Sequence, residues 1–272
     1  IKILMKSTLR EFHKSKYYST KWKNYFLIYD ELLQKYVNKS ITFVEIGILD
    51  GGSLKMWKSF FGSRARIIGI DLNPKAKKFA EKGIEIYIGD QSKDKFWKEF
   101  FNEVGKVDII LDDGGHTNAQ LITTTINCIP KIKNQGILII EDTHTSYLKE
   151  FGNPSKYSFI NFSKKIVNDI NYRFPGLGNY KYSLNKYVYS IQYFESITVF
   201  NINKNLCKKN QITNNKGIKS NNLDYRYGES KFVKKFQSDN KFWNNNFMKD
   251  LAKSFAFFLN KIKSLKFIKY FS

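Results

Sequence analysis

Apolar positions follow two different spacings along this chain. Within residues 1–40 they recur at three and four, so that Tyr25, Ile28, Tyr29, Leu32, Leu33 and Tyr36 share one side of a helix. From residue 41 onward they gather into short β-rich runs: Ile41–Gly47, Arg66–Asp71, Glu85–Asp90, Val107–Asp113 and Gly136–Asp142. Each run ends in an acid or a glycine. Helical stretches separate most of them, at Ser53–Phe61, Lys75–Lys82, Lys93–Val104 and Asn118–Ile129. Strands alternating with helices predict βαβ units and a parallel sheet with right-handed crossovers. Two later runs, Tyr187–Phe194 and Ser196–Asn201, read as an antiparallel pair closing one sheet edge.

Composition fits such a fold. The chain has 272 residues, 42% hydrophobic and 17% aromatic, enough to bury a core and to exclude wholesale disorder. Two cysteines, Cys128 and Cys207, exclude a disulfide scaffold or a cysteine-based zinc site and suit a reducing, cytoplasmic compartment. No run is long enough to span a bilayer, and the N-terminal apolar stretch is too short for a signal peptide. The expected class is α/β: a Rossmann-like, doubly wound, mostly parallel seven-stranded sheet with an antiparallel edge. The expected organisation is a helical cap over 1–40, a nucleotide-binding α/β domain over 41–202 with a lid loop at about 149–182, a polar linker over 203–241, and a basic amphipathic helical tail over 242–272.

The formal net charge of +22 changes the picture only in part. Residues 205–272 hold fifteen basic residues against four acids, half of the excess. Only five of the 46 basic residues are arginine, the residue favoured for bidentate reading of bases and phosphates. Nucleic acid is therefore disfavoured as a partner. In the tail, Phe247, Leu251, Phe255, Phe258, Ile262 and Leu265 fall on one helical face among lysines. That face suits packing on its own domain or on a second subunit of a homo-oligomer; it equally suits peripheral contact with the inner face of a membrane.

The chemistry-bearing residues sit at the predicted carboxyl ends of the strands, where open parallel sheets bind ligands. The first run leads into Glu45-Ile46-Gly47-Ile48-Leu49-Asp50-Gly51-Gly52-Ser53, a glycine turn that lets a ligand approach the backbone. The second ends at Asp71, placed to take a ribose diol. The third ends at Asp90-Gln91, placed to hydrogen-bond an adenine ring. The fourth and fifth end in Asp112-Asp113-Gly114-Gly115-His116 and Glu141-Asp142-Thr143-His144. Neighbouring parallel strands would bring Asp113, Glu141 and Asp142 together, and carboxylates so gathered need a cation or a proton between them. Oxygen ligands suit Mg²⁺ or another hard divalent cation. The competing reading has the aspartates capping the following helix and His116 satisfying a backbone carbonyl.

On these motifs the chain resembles the class I S-adenosylmethionine-dependent methyltransferases. Glu45, Gly47 and Gly51, with Ser53 beside them, correspond to that family's first motif, Asp71 to its ribose acid, and Asp90 with Gln91 to its adenine-side segment. The resemblance implies S-adenosyl-L-methionine as cofactor, with Asp112 near its methionine end. The Asp-Asp-Gly-Gly-His and Glu-Asp segments resemble more narrowly the metal-dependent sugar O-methyltransferases of macrolide biosynthesis and the proteins grouped as cephalosporin hydroxylases. That likeness implies Mg²⁺ held by Asp113, Glu141 and Asp142, and His116 as the base. The family usually has histidine where this chain has Gln192. The implied reaction is methyl transfer to a sugar hydroxyl, of a surface polysaccharide or its nucleotide-linked precursor. His144, Tyr147, Trp22 and Tyr18 are candidate acceptor contacts, with Lys21 and the 149–182 aromatics covering the acceptor. Two readings compete: an RNA methyltransferase, suggested by the charge, and a methyltransferase-fold protein that binds without catalysis. An iron-dependent hydroxylase lacks its two-histidine, one-carboxylate set.

Overall fold

The computed structural model describes residues 6–152, 155–177, 182–218 and 246–270. The chain divides into two units, Ile1–Gln211 and Ile212–Ser272. The first is built on one sheet of β1 (Thr42–Ile46), β2 (Arg66–Asp71), β3 (Ile84–Ile88), β4 (Val107–Asp112), β5 (Ile132–Ile140), β6 (Val188–Phe194) and β7 (Ile197–Ile202), in the order β3-β2-β1-β4-β5-β7-β6. Strands β1 to β5 are parallel. The order reverses between β1 and β4, which opens a crevice at their carboxyl ends.

The antiparallel closing pair forms, with a detail that spacing did not settle. Only β7 runs against the sheet, pairing antiparallel with both β5 and β6, so the edge strand β6 is parallel to the rest. Burial explains the choice. Ile197, Thr198, Val199 and Phe200 are all inaccessible, as an internal strand requires, whereas β6 exposes Tyr189 and Tyr193.

Side chains alternate across the sheet with period two. Phe43, Ile67, Ile109, Leu111 and Ile139 pack under α1 (Thr8–His13), α2 (Tyr25–Leu33) and α3 (Gly52–Phe61). Val44, Ile68, Ile110 and Leu138 pack under α4 (Asp94–Val104), α5 (Asn118–Cys128) and α6 (Phe159–Asn171). Residues 14–24, expected to belong to a helical cap, form no helix; they are a strap between α1 and α2.

Two further expectations are corrected. The Lys75–Lys82 stretch is a short 3-10 helix, Pro74–Phe79, because a tight turn between Glu81 and Ile84 with Gly83 at φ +83° redirects the chain into β3. The 149–182 segment is not simply a lid loop. It holds α6, whose Phe159 and Ile166 enter the core, with Ser163 and Asp169 buried on the same side.

In the second unit, residues 212–218 have no regular structure and α7 (Asn246–Leu265) is a helix of 20 residues. The rest of the expected 203–241 linker beyond residue 218 lies outside the described residues. No helix among the described residues is long and apolar enough to cross a membrane.

Candidate active site

A cavity of about 660 Å³ opens at the carboxyl ends of β1, β2 and β4. Its floor is the glycine turn after β1. Gly47 has φ +80°, and a β-carbon there would lie 2.1 Å from the Asp113 carbonyl oxygen, so only glycine permits the β1 and β4 ends to approach so closely. Asp71 closes one wall: it accepts hydrogen bonds from the Ile48 and Leu49 amides at 3.0 and 3.2 Å. Asp90 and Ser53 also line the cavity.

Sheet alternation sorts the acids. Glu45, Asp113 and Glu141 share the parity of Phe43, Leu111 and Ile139 and turn toward α2 and α3. Asp112 shares the parity of Ile110 and turns toward α5. There it is fully buried and accepts both Nε2 bonds of Gln91, at 2.9 and 3.0 Å. The Gln91 side-chain oxygen, Oε1, accepts from the Gly115 amide at 3.0 Å. Asp112 is therefore outside the cavity lining, contrary to its expected place beside a methionine moiety. Gln91 reaches the lining, but its amide is committed to bracing the loop after β4 rather than to an adenine ring.

On the other face, the ammonium of Lys21 enters the acid cluster from the strap. Its Nζ donates to Asp113 Oδ2 at 2.6 Å and Glu141 Oε2 at 2.9 Å, and lies 3.7 Å from Glu45 Oε1. The side chain is 2% exposed. Burial opposes its charge, but Glu141, Asp113 and Glu45 outweigh burial and raise its pKa. The other Glu141 oxygen accepts from the Tyr29 hydroxyl. Burial, reinforced by Asp113, pushes the Glu141 carboxyl well up, against the opposing pull of Lys21. Glu45 accepts from Ser53 at 2.8 Å and Trp57 at 3.1 Å, and burial pushes its pKa up to about 7 despite Lys21.

The groups that converge on a point suited to a metal are Asp113, His116 and Asp142, with one ligand atom of each within 4.8 Å of the others. His116 Nε2 lies 3.4 Å from Asp142 Oδ2 and 3.8 Å from Asp113 Oδ1. Glu141, expected as the third ligand, is not among them because Tyr29 and Lys21 take its oxygens. His116 and Asp142 both have left-handed backbones, φ 57° and 53°, a conformation that non-glycine residues hold only where surroundings enforce it. The helix-capping alternative does not apply to Asp113: Thr117 caps α5, in a capping box with Gln120. Nor does His116 satisfy a carbonyl through Nδ1, which is buried without a partner.

Trp22 and Tyr18 line the cavity. Trp22 donates to Asp142 Oδ1 at 3.2 Å, and Tyr25 donates to the same oxygen at 2.6 Å. His144 is off the cavity lining; its Nδ1 meets the Ser196 hydroxyl and its ring faces Trp22 edge-on. Tyr147 is 56% exposed and also outside the lining. Gly51 supports the turn from behind, against the Phe79 ring.

Similarity to known proteins follows this geometry. A MycE methyltransferase from the mycinamycin biosynthetic pathway, solved with Mg, SAH and mycinamycin VI, superposes with TM-score 0.64 at 25% identity, over 73% of this chain and 53% of that one. A second crystal form, with Mg and SAH, gives TM-score 0.62 at 27% identity over 66% of this chain and 49% of that one. The chain has the class I methyltransferase fold. Among curated relatives, the mycinamicin VI 2''-O-methyltransferase of Micromonospora griseorubida is 36% identical over 131 residues, 46% of this chain and 32% of its own length. The demethylmacrocin O-methyltransferase of Streptomyces fradiae is 34% identical over 151 residues, 52% of this chain and 38% of its own. An 8-demethyl-8-alpha-L-rhamnosyl tetracenomycin-C 2'-O-methyltransferase of Streptomyces olivaceus is 28% identical over 166 residues, 57% of this chain and 43% of its own. The chain thus matches well under half the length of these relatives. No family model matches it.

Proposed function

We propose that this chain is an S-adenosylmethionine-dependent O-methyltransferase acting on a sugar hydroxyl with the help of a divalent cation, Mg²⁺. One observation carries the reading: Asp113, His116 and Asp142 converge on one cavity that the Gly47 turn and Asp71 also line. The relatives whose names specify sugar positions, and the Mg and SAH in the MycE structures, support it.

The residues fit both groups. The bare Gly47 turn and the Asp71 carboxylate suit a nucleoside with a ribose diol. For the metal, the donors are the carboxylates of Asp113 and Asp142, hard oxygen ligands with His116 facing both. Asp113 and Asp142 would hold the cation, which when bound lowers the pKa of a coordinated hydroxyl and fixes its orientation. His116 Nε2, facing both carboxylates, is placed to take the acceptor proton. The donated methyl is already activated on sulfur, so alignment is the remaining task.

Six acids and one lysine line the cavity among the described residues: Asp50, Asp71, Asp90, Asp113, Glu141 and Asp142 against Lys21. That wall disfavours an RNA backbone and favours an uncharged sugar. A surface-polysaccharide sugar, or its nucleotide-linked precursor once the cation is in place, belongs to this reading. The test is S-adenosylhomocysteine formation over a panel of glycosides and nucleotide sugars. Asp113→Asn or rigorous chelation is expected to lower turnover by about 10² or more while cofactor binding, followed by calorimetry, persists. Full turnover after chelation would remove the cation from the reaction.

A further inference from the structure

We propose that Lys21 is a tethered cation that competes with the divalent ion for the acid cluster, so that metal uptake and seating of the 14–24 strap exclude one another. The inference rests on the metal reading above.

Three observations lead to it. First, Lys21 is fully engaged: its Nζ contacts Asp113 Oδ2, Glu141 Oε2 and, at 3.7 Å, Glu45 Oε1. An ammonium there neutralises two strand-end carboxylates on which an ion beside Asp113 would otherwise draw. Second, Asp113 is shared. One oxygen holds Lys21, and the other faces His116 and Asp142. A divalent ion on the second oxygen would sit within a few ångströms of an ammonium that is itself 2% exposed, where like charges repel. Third, the strap is held largely by the acids themselves. Lys21 ties it to Asp113 and Glu141, and Trp22 ties it to Asp142. Toward its ends the strap is tethered by the Ser15 hydroxyl on the Gly52 carbonyl at 2.8 Å, the Tyr17 ring edge-on to Phe79, and Asn24 on Glu195 at 3.3 Å. An ion that draws the free oxygens of Asp113 and Asp142 toward itself and repels the ammonium therefore weakens the strap's anchors, and Tyr18, Ser19, Thr20 and Trp22, which line the cavity, loosen with it. Displacing Lys21 also frees Glu141 to complete an all-carboxylate set with Asp113 and Asp142.

The experiment measures Mn²⁺ binding by electron paramagnetic resonance on the full chain and on Lys21→Met and Lys21→Arg, with hydrogen exchange of residues 14–24. K21M is expected to bind Mn²⁺ roughly tenfold tighter than wild type or more, with K21R no tighter than wild type. In wild type, Mn²⁺ is expected to speed exchange of the strap. If K21M folds only when Mn²⁺ is present, read from a thermal melt, the ion has replaced the lost ammonium and the proposal stands. Equal or weaker Mn²⁺ binding by a folded K21M, or slower strap exchange on Mn²⁺ addition, overturns it while leaving the metal reading intact. No Mn²⁺ binding by any of the three proteins overturns the metal reading and this proposal with it.

Discussion

Glu45 is a carboxylate that the fold can tolerate only by surrounding it. It accepts from Ser53 and Trp57 and faces Lys21, yet burial still raises its pKa to about 7. The unfolded chain titrates it near the ordinary value of 4.5. A raised folded-state pKa means the protonated form is favoured by folding, so its contribution is present at low pH and is lost as pH climbs from about 4.5 through about 7. Between pH 5 and 8 the metal-free wild type is expected to lose melting temperature faster than Glu45→Gln, whose isosteric amide cannot ionise. Parallel curves for the two proteins would show that Glu45 ionises freely in the fold. At this scale the strand-end acids were legible because they are rare residues in fixed places. Tyr25, Tyr29 and Lys21 were not recognised as parts of the acid cluster. The tyrosines read as members of an apolar helix face, and the only hint was that each buried hydroxyl must find an acceptor, here Asp142 and Glu141. Lys21 lies in an aperiodic stretch and crosses 92 residues of sequence to reach Asp113, a pairing that no local spacing announces.

Elements were legible where periodicity was strong. Strands β1 to β5 and helices α3, α4 and α5 fall within a few residues of their predicted positions, since a buried parallel strand and an amphipathic helix each leave a distinct pattern. The segment 149–182 was misjudged because its aromatics invite a binding role, while their positions decide their fate. Phe159, at the first turn of α6, is inaccessible and packs in the core beneath the β4 and β5 face, whereas Tyr157 and Phe174 are exposed. Phe159→Ala is accordingly expected to cost about 3–5 kcal/mol of stability by chemical denaturation, with little effect on the KM of a saturable acceptor in the protein that remains folded. A lid residue would give the opposite pattern, near-normal stability with a raised KM, and that result would return α6 to the acceptor side. The β6–β7 order shows a related limit: both runs read as strands, and only burial on both faces places β7 inside.

Charge is distributed unevenly over the whole molecule, and the two parts of the sequence call for different partners. The cavity presents acids, while residues 205–272 carry fifteen basic side chains against four acidic ones. In α7 the apolar residues Phe247, Leu251, Phe255, Phe258, Ile262 and Leu265 follow a spacing of three and four, and all are exposed. Lys261, Lys263, Lys266 and Lys269 are exposed as well, within the helix and the 3-10 turn that follows it. A helix with a lysine-rich polar side and an aromatic-aliphatic stripe, too polar to cross a bilayer, suits the interface of an anionic membrane. Such attachment would bring the methyl transfer proposed above to a membrane surface. Flotation of the full chain with phosphatidylserine-containing vesicles is expected to recover it, with recovery falling as salt rises because exposed charges are screened. Phosphatidylcholine vesicles should recover little. Replacing Phe258 and Ile262 with serine leaves the charge unchanged and removes two side chains each worth about 1.5–3 kcal/mol when buried, so binding should weaken by roughly tenfold or more. Recovery that follows charge alone and is untouched by the serine pair would mean that the lysines act as a simple electrostatic tail. No recovery at all would turn the apolar stripe from lipid toward a protein surface.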